Sequence, residues 1–164
     1  MLFAITVLTF PANAEATKKI LFNSESIRNA RGENYCNLST TEDVGKEGLY
    51  LGPNKEYAVE QRWNGKYLFL FLLKNSKPPR YCGTILDVLD LSNVRTTEEF
   101  VLFKCQMRHR VHTKSASIMG LGDNHKGAIR YVKPSKAWQA NSSLERFMPI
   151  DPKNVICDTA VHEY

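Results

Sequence analysis

Few residues in this chain have the type and spacing for chemistry. His109 and His112 form a His-x-x-His pair. Two imidazoles at that spacing bind a metal where the backbone is helical or tightly turned. On an extended strand, residues three apart point to opposite faces, and the segment holds no carboxylate to complete a ligand set. The expectation is no metal, with His109 and His112 the only candidate ligands. Asp87 and Asp90 stand three apart at a strand end. Paired carboxylates do general acid–base work when a cleft separates their pKa values. Turn-forming aspartates are far commoner. The glycine-rich segment 120–127 lacks both the Walker and the dinucleotide-binding spacing, and a turn between strands explains it. No serine sits in a Gly-x-Ser-x-Gly elbow. No catalytic residue and no cofactor are therefore expected.

The four cysteines, Cys36, Cys82, Cys105 and Cys157, contain no Cys-x-x-Cys pair. An even count in an exported chain predicts two disulfides. The expected pairs are Cys82 with Cys105, on two strands read as neighbours, and Cys36 with Cys157, tying the ends together. Loop-closure entropy would make these worth about 3.5 and about 5 kcal/mol. With every thiol oxidised, none remains as a nucleophile.

Charge offers a binding surface instead. The formal net charge is +5. Lys104, Arg108, Arg110 and Lys114 form one basic cluster, and Lys126, Arg130, Lys133 and Lys136 a second. If their strands are neighbours, one face is basic and attracts anionic partners: an acidic protein, lipopolysaccharide or an acidic polysaccharide. The bland alternative is a solvated face with a mild excess of cations. Nucleic acid is not expected, because aromatic and basic residues do not interleave in the single-strand-binding manner. Trp63 and Trp138 are candidate aromatic contacts, with core packing the competing role. Asn37-Leu-Ser39 and Asn141-Ser-Ser143 match the glycosylation acceptor pattern, which matters only in a eukaryotic secretory pathway.

The N-terminus explains why oxidised cysteines are expected. Leu2 to Phe10 is uncharged and nearly all apolar, and Pro11 and Ala12-Asn13-Ala14 follow in the form of a cleavage site. This reads as a signal peptide over 1–14, leaving one domain over 15–164 in the periplasm or outside the cell. The positive charge that normally opens such a segment is absent, and the expected reason is a start further upstream. The run is too short for a membrane helix of about 20 residues, as is Tyr67 to Leu73.

The elements that would position these residues are mainly strands. In Tyr57 to Trp63, Tyr57, Val59 and Trp63 share one face, opposite Ala58, Glu60 and Arg62. That is the period-two pattern of a strand. Asn64-Gly65 is a hairpin turn signal. Lys66 to Lys74 returns as a strand covered on both faces. Further strands are expected over 80–89, with Cys82, Leu86 and Val88 on one face, and over 100–107, with Val101, Phe103, Cys105 and Met107 together. Segments 116–121 and 128–133 follow, separated by a turn over 122–127. A short helix ends near Gly32, and 36–48 reads as a loop. Trp138, Phe147, Ile150, Val155 and Ile156 are late apolar anchors. Successive short strands predict an antiparallel meander closing into a small barrel or sandwich.

Lys136-Ala-Trp138, Glu145-Arg-Phe147, Pro149-Ile150 and Val155-Ile-Cys157 resemble the tails of short uncharacterised exported bacterial proteins. The resemblance covers about the last 30 residues. It implies an exported, disulfide-bonded chain, and no catalytic residue or ligand. The function expected overall is that of an exported, non-enzymatic binding protein of the inhibitor, immunity or envelope accessory type. A β-barrel carrier of a small apolar or anionic ligand is the first alternative. A hydrolase assembled from His109, His112 or Asp87 is the second.

Overall fold

A computed structural model describes residues 19–39, 45–51, 54–63, 66–75, 82–93, 98–101, 105–108, 118–123 and 131–158. In chain order the strands are β1 (Ile20–Leu21), β2 (Leu38–Ser39), β3 (Gly45–Leu51), β4 (Tyr57–Trp63), β5 (Leu68–Lys74) and β6 (Thr84–Asp90). They continue as β7 (Glu98–Val101), β8 (Cys105–Met107), β9 (Ile118–Asp123) and β10 (Tyr131–Val132). The last are β11 (Lys136–Asn141), β12 (Arg146–Ile150) and β13 (Val155–Asp158). A short helix α1 (Ser24–Arg28) and 3-10 turns at Tyr35–Asn37 and Pro152–Asn154 complete the described elements.

The fold is mainly β and layered. Strands β3 to β6 form an antiparallel meander, and β5 is interior to it. Alternation along β5 sends Phe69, Phe71 and Leu73 into one apolar cluster and Leu70 and Leu72 into another. Burying each such side chain contributes about 1.5–3 kcal/mol, which is why this strand anchors the domain. A second sheet, in the order β12-β11-β9-β7, packs on the Leu70 and Leu72 side. Val59, Leu70, Leu72 and Leu86 meet Met119, Ala140 and Phe147 between the two. The far face of the second sheet carries Ile118 and Ala137. These pack on Cys105, Val155 and Cys157 of a third sheet, ordered β10-β13-β8. The sheets remain open layers rather than closing into a barrel.

The outer face of the first sheet is covered by the N-terminal segment. Asn23 caps α1 by accepting from the Ser26 amide (2.9 Å), and Arg28 sits in its last turn, where a cation suits the helix dipole. Gly32, at φ +84°, turns the chain where a side chain would be strained. Residues 32–35 then run along β6. The Gly32 amide donates to the Ile85 carbonyl, the Ile85 amide to Glu33, and the Tyr35 amide to Gly83. This occupies the edge that β6 would otherwise expose. Ile20, Ile27, Ala30, Tyr35 and Leu38 close the cover over Phe69 and Phe71.

Both disulfides form, but not in the expected pairing. The bonds are Cys36–Cys82 and Cys105–Cys157. Segment 32–35 lies along β6 and brings Cys36 to Cys82, while β8 neighbours β13, with Cys105 directly opposite Cys157. The two sequence separations, 46 and 52, are nearly equal. Each closure is therefore worth about 4 kcal/mol.

Other expectations also change. The loop read over 36–48 ends early, because β3 begins at Gly45 and all seven of its residues pair with β4. Two glycines hide that strand from propensity. In β6, Leu72 pairs with Asp87 but Leu73 pairs with Ile85, so Leu86 is an extra residue in a β-bulge. The bulge flips the alternation: Leu86 joins the second cluster and Val88 packs on the first. The single strand read over 100–107 is two strands in different sheets. Gly122 and Asp123 belong to β9 and pair with Glu99 and Glu98 rather than forming a turn. The late apolar anchors lie in β11, β12 and β13.

Candidate binding surface

The third sheet carries a described residue of each basic segment, Arg108 after β8 and Lys133 after β10, and both strands flank β13. Register aligns Val132 with Cys157 and Cys157 with Cys105, so β8 and β10 run side by side one strand apart. The Arg108 amide donates to the Asn154 carbonyl (2.8 Å), extending the β8–β13 pairing to Arg108. Arg108, Lys133, Lys136 and Lys153 are all exposed. Asp151 is also exposed, and its carboxylate accepts from the Lys153 amide (2.9 Å), capping the 3-10 turn. Lys104, Arg110, Lys114, Lys126 and Arg130 lie outside the described residues, as do His109 and His112.

The tryptophans part company. Trp138 is half-buried against the second cluster. Trp63 ends β4 and is 37 % exposed, with Gly45 opposite it.

The two candidate carboxylates do not share a cleft. Asp87 turns toward the second sheet and accepts from the Phe147 amide (2.7 Å), joining the first two sheets. Asp90 turns toward the cover, accepting from Arg28 Nε (3.0 Å) and the Ser92 amide (3.0 Å). Three residues apart on a regular stretch of β6, they point to opposite faces. Burial works to raise Asp90, but hydrogen bonds from Ser92, Arg28 and Ser24 outweigh it and hold the carboxyl below its usual range. Its stabilisation is therefore complete above the unfolded value of about 3.9 and is lost as pH falls through the lower folded value. Asp90→Asn should be less stable than the parent near neutrality. That gap should close in acid, when urea midpoints are compared across pH. Arg28 is 61 % exposed, so the gap should not exceed about 1 kcal/mol. A gap that persists into strong acid would remove this account.

One polar cluster is invisible to sequence reading. The Tyr35 hydroxyl donates to Glu60 (2.7 Å) and accepts from Arg62 Nε (2.6 Å), while Arg62 Nη2 lies 3.6 Å from Glu60. The guanidinium also stands over the Tyr35 ring, 5.4 Å from its centroid. Burial, then the Glu60 charge, drives the Tyr35 phenol well above its ordinary value, so it stays a hydroxyl. The alternation of Glu60 and Arg62 was legible as a polar face, but their partner lies 25 residues away from Glu60 in sequence. Every member is hydrogen-bonded within the cluster, which fastens the cover to β4.

Comparison with family models, curated proteins and solved structures finds no match to this chain. The geometry has to speak alone. Among the described residues, no group of three or more His, Cys, Asp or Glu side chains is placed to hold a metal ion. No helix among them is long and apolar enough to cross a membrane. Two disulfides are the signature of an oxidising compartment outside the cytosol.

Proposed function

We propose that this chain is an exported binding protein that recognises an anionic partner through its third sheet. The observation that carries the reading is the topology: β8 and β10, whose segments hold the basic clusters, flank β13 in one outer layer. Arg108, Lys133 and Lys153 provide exposed cations there, and such a surface speeds encounter with anionic groups and selects for them. Disulfide Cys105–Cys157 locks β8 to β13 and holds the surface rigid, which lowers the entropy lost on binding. The apolar run 2–10 and the Ala12-Asn13-Ala14 that follows it support export. The partner class is an acidic exported protein or an anionic envelope polymer.

The test compares two charge reversals of equal size. Arg108→Glu/Lys133→Glu should weaken retention of the partner from envelope extract about tenfold at low salt. Lys55→Glu/Lys66→Glu changes net charge equally on the first sheet and should have little effect. Equal losses from both pairs would mean non-specific charge, and the surface assignment would fall. A protein still retained at raised salt identifies a specific interface; only salt-labile polymer identifies the envelope component.

A further inference from the structure

We propose that Cys36–Cys82 is a thiol-exchange site, opened by a dithiol reductant while Cys105–Cys157 stays closed, and that opening it releases the cover. The two bonds differ in access. Cys36 is exposed and Cys82 half-buried, whereas Cys105 and Cys157 are 0 % and 1 % exposed between the second and third sheets. A thiolate must reach a sulfur to exchange with it, so access ranks the two bonds.

The step balances. A thiolate of the reductant attacks Cys36 Sγ, the Cys36–Cys82 bond breaks, and Cys82 leaves as a thiolate that takes up a proton. The reductant's second thiol then displaces Cys36 from the mixed disulfide. The protein gains two thiols, and the reductant is oxidised to its own disulfide.

The consequence follows from where the bond sits. Cys36 adjoins Tyr35, the residue tied to Glu60 and Arg62, and it follows the segment hydrogen-bonded along β6. The cover bears on Phe69, Phe71 and Leu73 from one side. With the disulfide open, the cover keeps hydrogen bonds, the Arg28–Asp90 pair and that apolar contact but no covalent tie, and local opening exposes the aromatic face of β5.

The experiment exposes the oxidised full chain to dithiothreitol in native buffer, traps thiols with iodoacetamide and maps them by mass spectrometry. Cys36 and Cys82 should be alkylated at least about tenfold faster than Cys105 and Cys157. Limited trypsin treatment in parallel should cut after Arg28 and Arg31 about tenfold faster once that bond is open. Equal rates, or Cys105–Cys157 opening first, overturn the site. Rapid opening without faster cleavage overturns the release of the cover. Cys36→Ser/Cys82→Ser should show the fast cleavage with no reductant present. If that variant fails to fold, selectively reduced parent protein, whose folded state is checked by circular dichroism, decides the matter.

Discussion

Gly120→Ala should destabilise the oxidised chain by about 3 kcal/mol, seen as a lower urea midpoint at unchanged slope. Gly120 lies in β9 opposite Ala137, on the face turned to the third sheet. A Cβ there would stand 2.6 Å from Cys157 Sγ, 2.8 Å from Pro134 Cβ and 3.0 Å from Cys105 Sγ. None of these neighbours is the free end of a flexible chain. The sulfurs are bonded to each other across paired strands, and Pro134 is buried. Relief requires the second and third sheets to separate, which strips contact from Ile118, Val155 and Cys105 together. Removing the sulfurs should relieve part of the clash. In a Cys105→Ala/Cys157→Ala background the same glycine substitution should cost about 1–2 kcal/mol less. Additive costs would mean that the disulfide does not define the space at Gly120.

Phe71→Ala should cost about 3–5 kcal/mol. Since whole domains are stable by about 5–15 kcal/mol, much of the population should unfold on mild heating. Phe71 is fully buried, edge-on to Tyr35 with centroids 5.3 Å apart and tilted against Phe69 at 6.3 Å. Its removal leaves a cavity under the cover as well as forfeiting transfer energy. Leu72→Ala, one residue on and facing the second sheet, should cost about 2–5 kcal/mol. The pair separates by location. Hydrogen exchange at the 32–35 amides should accelerate in Phe71→Ala beyond what its global stability accounts for, but not in Leu72→Ala. Matching exchange in both would mean that the cover opens only with the whole domain.

Where alternation is local and unbroken, sequence and structure agree. The sided pattern of 57–63 and the continuous apolar run of 67–73 predict a half-buried strand and a central one; β4 and β5 are strands there, but the cover also buries Ala58 on the polar side of β4. Three things escaped for physical reasons. Strand β3 is held by its pairing with β4 more than by its own residues, two of which are glycine. The apolar period persists across 100–107 although the chain changes sheets within it, because the two sheets it joins pack on each other. The disulfide pairing depends on which strands become neighbours, and spacing carries no such information. The proposed surface was half legible: the basic clusters are plain in sequence, but β13, the strand between β8 and β10, follows both and bears no signal of that role.

The third sheet draws β8 and β10 from the second half of the chain and completes itself only with β13, whereas Cys36 and Cys82 lie within the first half. The bonds join first to second and third to fourth cysteine, with no interleaving. A chain emerging N-terminus first thus offers Cys36 and Cys82 to an oxidant before Cys105 and Cys157 appear. Cys105 must then wait for Cys157, roughly 3 to 10 s later at ordinary synthesis rates. Wherever the first bond closes before Cys105 emerges, the two partners Cys105 could wrongly take are already removed. Order of appearance then favours the native pairing without later reshuffling.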